Sequence, residues 1–566
     1  MGSIKFGTDG WRGIIGEDFT LENVKFLSEA LSNYIKNQSQ KNPEDFKVTI
    51  GYDTRFLSNE SALLISRILA ENSIKVDLSS YPVPTPVVSY TTSKNNSDYG
   101  IIVTASHNAG IWNGIKIKDS NGKSISEIEA NLIEKEIQNI KSNKKIDAYV
   151  NFEEAEEKGL ITKIFPLNDY IKNITKLIDV EKIRSSKIKI ISDCMHGTSS
   201  GILPKIFGTE NLLIKEINNE GNPLFPGIKQ PEPIESNLLD LSTAVKDEKA
   251  DIGLAFDADS DRLGVIDENG NYIDTPYLFC MIADHVTAMK NKGPIVSTIT
   301  MSSMVDKLAS FQKVKSLRTK IGFKYVAPLM EESNSFIGGE ESGGFAYSKH
   351  LIERDGIMSA LLLLEALVDS SKNPSELLRS LNQKFGDHFY KRIDIPFEED
   401  IVIKTKVNFW NTNGYINIGA PNQTNWERLT ISINREDLMK NPIFKGSPER
   451  LKNRVLLEKE LEKSFTKKTT QDWMEILEKA GVPTGSKLAK INQFIKEPNI
   501  SSFSGNKITK LDRTDGLKIN LENGDWIALR LSGTEPLIRF YCESSNQSQL
   551  DSMLNEILKK LDINIP

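Results

Sequence analysis

The chain has 566 residues, with 71 Lys and Arg against 77 Asp and Glu, for a net charge of −6. That balance gives no electrostatic footprint for nucleic acid, and at about 150 residues per domain the length suggests about four domains. Hydrophobic residues at 39% and charged residues at 26% fit several packed cores rather than disorder. Three scattered cysteines, Cys194, Cys280 and Cys542, make neither a disulfide framework nor a zinc site. No apolar run of the signal-peptide kind follows Met1. The longest apolar run, near Met358 to Val368, includes Glu365 and is too short to span a bilayer. The expectation is a cytoplasmic protein with no membrane or nucleic-acid partner, a monomer or small homo-oligomer.

In chain order, three units share one element order. A strand over 47–52, a helix over 58–72 and a strand over 75–78 lead to the strand 99–103, which enters Thr104-Ala-Ser-His-Asn-Ala-Gly110. A strand over 188–192, a helix over 198–207 and a strand over 212–216 lead to 251–256, which enters Asp257-Ala-Asp-Ser-Asp-Arg262. A strand over 294–298, a helix over 302–309 and a strand over 314–317 lead to 335–337, which enters Gly338-Gly-Glu-Glu-Ser-Gly-Gly344. Three βαβ-type units that each end in a polar loop predict three similar α/β domains. The C-terminal part reads differently. A hairpin over 517–521 and 526–529 turns at Asn523-Gly524, the loop Arg530 to Pro536 enters the strand 537–542, and an amphipathic helix covers 549–561. This is an α+β domain, interrupted by a Lys-rich helical stretch between Val407 and about Ser501.

Each loop carries its own chemistry. Ser106 beside His107 offers a nucleophile next to a proton acceptor, where the bland alternative is a Ser/Asn turn. Lys116, in Asn113-Gly-Ile-Lys116, can neutralise a phosphate or move a proton. Asp257, Asp259 and Asp261, if extended, face one way and would repel unless a hard, oxygen-seeking cation such as Mg²⁺ lies among them. A calcium EF-hand is excluded because its sixth position is Arg262, although the twelfth is Glu268. The third loop offers carboxylates, a hydroxyl and close backbone approach to sugar hydroxyls, with a plain Gly-rich turn as the alternative. Asn121-Gly-Lys-Ser124 ends like a P-loop but has Ile117 where the first glycine belongs. Arg530, Ser532, Gly533 and Thr534, with Arg539 on the next strand, make a phosphate cradle. A phosphorylated sugar joins the four loops.

With Phe6-Gly-Thr-Asp-Gly-Trp-Arg-Gly13 added, these motifs resemble the α-D-phosphohexomutase family, in the family's order and over nearly the whole chain outside the Lys-rich stretch. The resemblance implies three similar α/β domains plus a smaller α+β C-terminal domain around a central cleft. The boundaries expected are 1–164, 165–272, 273–385 and 386–566, the last interrupted by a roughly 90-residue insert at 408–501. It implies Ser106 as a phosphoserine, with Asp257, Asp259, Asp261 and the phosphoserine as Mg²⁺ ligands. Arg12, Lys116 and Arg262 match the charged residues around the transferring phosphoryl group. Glu340 and Ser342 match the sugar-hydroxyl contacts, with His350 beside them. Arg530, Ser532, Gly533, Thr534 and Arg539 match the site of the non-reacting phosphate. His107, Lys116 and Lys324 are candidates for moving the hydroxyl proton.

The reaction implied is interconversion of glucose 1-phosphate and glucose 6-phosphate, with glucose 1,6-bisphosphate as intermediate and activator. Glu341 completes a Gly-Glu-Glu-Ser motif of the glucose-selective type. Mannose, dual or glucosamine specificity are the alternatives, and a sugar-phosphate-binding regulator or a phosphatase are rivals from other classes. The stretch Asn413 to Pro498, above all Trp473 to Gly485, resembles a late fragment of family III CoA-transferases that lacks their catalytic aspartate. A self-contained structural insert outside the cleft is expected there, with a CoA- or partner-binding module as the competitor.

Overall fold

The structure is a computed structural model. It describes the chain except residues 1–3, 8, 38–40, 144–148, 209–213, 397–422, 447–448, 451–452, 466–467, 469, 481, 483–490, 492, 499, 532–536, 562 and 564–566. The chain divides into two compact units, Met1–His388 and Phe389–Pro566.

The first unit contains three sheets that repeat one arrangement. Three strands run parallel, and a fourth lies antiparallel beside the third. In the first sheet Lys75–Ser79, Lys47–Tyr52 and Tyr99–Val103 are parallel and Trp112–Lys118 is the antiparallel neighbour. The second repeats this with Ile214–Ile217, Ile190–Asp193, Ile252–Phe256 and Leu263–Ile266. The third does so with Ser316–Thr319, Ile295–Thr298, Ile337–Gly339 and Phe345–Tyr347. Each chemistry-bearing loop is therefore the same connection, from the third parallel strand to its antiparallel partner. It lies at the carboxyl end of the parallel strands, where open α/β sheets bind ligands.

The sequence dictates these strands directly. Tyr-Gly-Ile-Ile-Val at 99–103 is β-branched and buried on both faces, as a central parallel strand requires. Ile50, Leu69, Ile101, Val103 and Ile115 all lie in one buried cluster. Each such side chain contributes about 1.5–3 kcal/mol by leaving water.

Several boundaries move from the sequence expectation. The elements expected at 188–192, 212–216 and 302–309 are Ile190–Asp193, Ile214–Ile217 and Met304–Gln312. The helix expected from 198 begins at Ile202, because residues 194–201 form a turn in which Met195 and His196 adopt left-handed backbone. The strand expected at 314–317 is Ser316–Thr319. The strand expected at 335–337 is Ile337–Gly339, so Gly338 and Gly339 belong to the sheet and the third loop starts at Glu340.

The second unit holds a six-stranded sheet in the order Phe389–Pro396, Leu537–Ser544, Trp526–Leu531, Leu517–Leu521, Asn506–Asp512, Ser502–Phe503. The helix Gln547–Lys560 lays Leu550, Met553, Leu554 and Ile557 on its apolar face. The strand Phe389–Pro396 comes first and pairs along all its residues with Leu537–Ser544. Its sequence mixes Lys391, Arg392 and Asp394 among the apolar residues, which hides an edge strand.

Within the inserted stretch, the helices Gln423–Ser432, Glu436–Lys440, Arg454–Phe465 and Thr470–Lys479 bury a cluster of their own. It includes Trp426, Leu429, Leu457, Leu461, Phe465, Trp473 and Val482. Ile491, with Phe494 and Ile495 beside it, belongs to the core of the sheet rather than to the helical cluster. Among the described residues, no helix is long and apolar enough to cross a membrane.

Candidate active site

The loop after Tyr99–Val103 turns at Ser106, which takes left-handed backbone (φ 53°) and is fully buried. Ser106 Oγ donates to Asp257 Oδ2 at 2.9 Å and lies 3.5 Å from His107 Nδ1. The first and second loops therefore meet.

The second loop is not extended, which corrects the sequence expectation. It is a turn in which Ser260 N donates to Asp257 O at 2.9 Å and Ser260 has φ 59°. The turn, rather than strand alternation, gathers Asp257, Asp259 and Asp261, all buried, with one oxygen of each within 4.8 Å of the others.

Three buried carboxylates this close need positive charge. Lys116 Nζ supplies part of it, at 2.8 Å from Asp259, 2.7 Å from Asp261 and 2.9 Å from Asp9. Arg354 Nη2 lies 3.0 Å from Asp261 and also binds Asp9. Burial raises the carboxyl of Asp259, but the Lys116 ammonium overcomes this and holds it below the usual range. Burial and the charges of Asp259 and Asp261 push Asp257 well up. Asp259 Oδ1 and Asp261 Oδ1 are buried without a hydrogen-bond partner. Orphaned carboxylate oxygens in an oxygen-only cluster fit a hard cation.

The third loop joins through Arg354. Its Nη1 lies 3.8 Å from Glu340 Oε2, while Glu340 Oε1 accepts from Gly322 N at 2.8 Å. Burial, reinforced by Glu341, pushes Glu340 up to about 7 against the pull of Arg354. Glu341 Oε2 accepts from Thr300 Oγ1 at 2.9 Å, and Ser342 is half-buried. One arginine thus touches a carboxylate from each of the three repeated domains.

Family models for phosphoglucomutase/phosphomannomutase α/β/α domains I, II and III match residues 3–144, 168–270 and 274–385. A phosphoglucomutase/phosphomannomutase of Thermococcus kodakarensis is 33% identical over 385 residues, covering 67% of this chain and 80% of its own. The chain belongs to the phosphoglucomutase/phosphomannomutase family. It is thereby an isomerase of the phosphohexomutase class.

A phosphoglucosamine mutase of Ruminiclostridium cellulolyticum is 31% identical over 382 residues, covering 66% of this chain and 80% of its own. The crystal structure of a family protein from Burkholderia thailandensis shares the fold, with TM-score 0.69 at 17% identity, covering 98% of this chain and 96% of that one. A family III CoA-transferase model matches residues 378–527, a wider span than the inserted helices and one that includes strands of the C-terminal sheet.

The remaining site residues that the phosphohexomutase motifs single out fall into groups. Arg12 Nη1 donates to Asn108 Oδ1 at 2.6 Å, beside the Ser106 loop. Arg262 Nη1 donates to Glu232 Oε1 at 2.9 Å, and its backbone N to Asp257 Oδ1 at 3.0 Å. Lys324 lines a pocket with Asp9 and Glu127 and lies 3.3 Å from the Glu127 carboxylate.

His350 is placed differently from its sequence expectation. Its side chain is 1% exposed, 3.0 Å from Asp355 and 2.8 Å from Asn173 Nδ2, with its ring stacked on Tyr90. In this conformation it has no surface to offer a sugar. Its contacts instead support Asp355, which caps the helix Gly356–Ser370 next to Arg354.

In the second unit, Arg530 and Arg539 are register partners on adjacent strands, 3.1 Å from Asp515 and 3.5 Å from Asp394 respectively. Ser532, Gly533 and Thr534 lie outside the described residues.

Sequence reasoning passed over Asp9, Arg354, Glu353 and Lys118. Lys118 Nζ, fully buried, donates to Glu353 Oε2 at 2.8 Å. Asp9 stands inside a quoted motif, and Arg354 inside Arg-Asp-Gly. Their residue types were legible, but the pairs Asp9–Arg354 and Lys118–Glu353 span 345 and 235 residues.

Proposed function

We propose that this phosphohexomutase interconverts glucose 1-phosphate and glucose 6-phosphate through a phosphoserine at Ser106. The reading is carried by one observation: a buried Ser Oγ hydrogen-bonded to a carboxylate of an orphan-bearing Asp triad. Phosphoryl transfer asks a protein mainly for positioning and charge neutralisation, and the site is built of those. Asp257, Asp259 and Asp261, with a phosphoserine oxygen, would hold Mg²⁺, which when bound would draw charge from the transferring group.

In the proposed cycle a sugar hydroxyl attacks the phosphorus on Ser106. The bond from phosphorus to Ser106 Oγ breaks as the bond to the sugar oxygen forms. The hydroxyl proton passes to a neighbouring base, for which His107 and Lys324 are the candidates, since Lys116 is held as an ammonium by Asp9, Asp259 and Asp261. Glucose 1,6-bisphosphate then reorients and returns its other phosphoryl group to Ser106. Arg12, Lys116 and Arg262 would neutralise charge at the transferring group. Glu340 and Ser342 would hold the sugar hydroxyls, with His350 acting behind them. Arg530, Ser532, Gly533, Thr534 and Arg539 would take the other phosphate.

Glu341 supports glucose. The phosphoglucosamine mutase among the relatives supports glucosamine as a second reading. A coupled assay of glucose 1-phosphate against glucosamine 1-phosphate and mannose 1-phosphate decides between them. Intact-mass analysis of active protein should find one phosphate, mapping to Ser106, and Ser106→Ala should abolish turnover. Near-normal turnover in that variant would sink the mechanism.

A further inference from the structure

One aromatic residue in the second repeated domain holds a backbone conformation that its type avoids. Phe225 has φ 47° and is 2% exposed, while its neighbour Leu224 is 82% exposed. A bulky L-residue in left-handed backbone is strained and persists where surrounding structure fixes it. The surroundings are visible. The His196 ring spans the segment, with Nδ1 3.1 Å from Glu220 O and Nε2 3.2 Å from Pro226 O. His196 O accepts from Thr54 Oγ1 at 2.9 Å, tying this clasp to the first domain.

The segment also approaches that domain too closely for side chains. A Cβ on Gly110 would meet Pro223 O at 2.7 Å, and one on Gly221 would meet Thr54 Cγ2 at 3.0 Å. Gly110 belongs to the loop that carries Ser106.

The strained ring has a definite occupant. The Arg55 guanidinium lies over it, 4.8 Å from the ring centroid. Arg55 is ion-paired to Asp53 at 3.1 Å. Its two terminal nitrogens donate to four carbonyls of the serine loop: Ser106 O and Asn108 O at 2.5 Å, Ala109 O and Trp112 O at 3.0 Å. Asp53 in turn accepts from Thr104 Oγ1 at 2.6 Å, and Thr104 Oγ1 accepts from Ser106 N at 2.8 Å. A planar, always-charged fork can satisfy several carbonyls only if its plane is fixed, and an aromatic face fixes a plane while excluding water.

We propose that Phe225 is a positioning residue for phosphoryl transfer. The strap 220–226, clasped by His196, seats the Phe225 ring under Arg55, and Arg55 holds the left-handed turn that presents Ser106 Oγ to Asp257. This deepens the reading of Ser106 as the phosphoryl carrier and rests on it for the catalytic consequence. The structural consequence stands apart from it.

The test uses the full-length protein with three variants and two readouts. Phe225→Leu keeps an apolar side chain but removes the ring face, Phe225→Tyr restores the face, and Gly110→Ala pushes the strap away from the loop side. Backbone hydrogen exchange over residues 104–112 should accelerate at least tenfold in Phe225→Leu and Gly110→Ala, and stay within twofold in Phe225→Tyr. In the mutase assay kcat should fall about tenfold in the first two variants with KM changed less than twofold, and Phe225→Tyr should recover kcat. Unchanged exchange over 104–112 in whichever of Phe225→Leu and Gly110→Ala folds overturns the proposal, as does failure of Phe225→Tyr to rescue exchange. Faster exchange with unchanged kcat would also overturn the positioning role, whereas near-normal turnover in Ser106→Ala would instead remove Ser106 from the reaction.

Discussion

Deleting the inserted helices separates two kinds of burial that the sequence runs together. The helices from Gln423 to Lys479 bury Trp426, Leu457, Leu461 and Trp473 against one another, whereas Ile491 is 0% exposed in the core of the C-terminal sheet. Removing 423–482 therefore deletes a cluster together with its own core. The strands on either side of the stretch, Phe389–Pro396 and Ser502–Phe503, lie at opposite edges of the six-stranded sheet. Five strand spacings of ~4.8 Å put those edges ~24 Å apart. Residues 397–422 and 483–501 remain after the deletion, roughly 45 residues with an extended reach of about 150 Å, so closure is not strained.

Removing 413–498 instead takes away Ile491, Phe494 and Ile495. Truncating one buried Ile costs about 2–5 kcal/mol. In a C-terminal domain reduced to ~100 residues, that lowers Tm by on the order of 10 °C or more. Thermal and urea unfolding of the two deletions and of Ile491→Ala should show the first deletion near wild type and the other two destabilised. The first deletion should also keep its preference among sugar 1-phosphates. Loss of the folded sheet on deleting 423–482, or an Ile491→Ala variant within 0.5 kcal/mol of wild type, would refute the reasoning.

Asp259→Asn removes a charged oxygen from the proposed cation site, so calorimetric Mg²⁺ affinity should fall by two orders of magnitude or more; full activity of the wild type in EDTA would exclude the site. Glu365 provides a pH test. Against burial, which raises it, hydrogen bonds from His285 and Lys290 hold its carboxyl down to about 2. A depressed carboxyl stabilises the fold above its unfolded value near 4.5 and loses that contribution as pH falls towards 2. Glu365→Gln should cost about 2 kcal/mol at pH 7 and flatten the fall in stability between pH ~4.5 and ~2, read by urea unfolding across that range.

The sequence by itself determined the repeated α/β order, because strands such as Tyr99–Val103 and Ile252–Phe256 are short, apolar and followed by polar loops. It also determined which loops bear chemistry, since Ser106-His107 and the Asp257 to Asp261 set announce themselves by residue type. Strands at and next to the edges of the C-terminal sheet escaped it. Phe389–Pro396 and Asn506–Asp512 carry alternating charge in place of an apolar run, and only pairing with neighbours makes them strands. The limit of the inserted helices escaped it too, because Ile491 and Leu477 are equally apolar in sequence and differ only in which core buries them.

Tertiary structure alone decided how charge is balanced at the site. Lys116 and Arg354 reach Asp9 and Asp261 across separations of more than 90 residues. Such long-range pairing leaves no local pattern, since nothing near Arg354 in the chain specifies its partner carboxylates. The same holds for His350, whose imidazole reads as a ligand group in sequence and is packed among Tyr90, Tyr170 and Asp355 in the fold. Side-chain type sets what a residue can do, and its burial and neighbours, which only the folded chain supplies, set what it does.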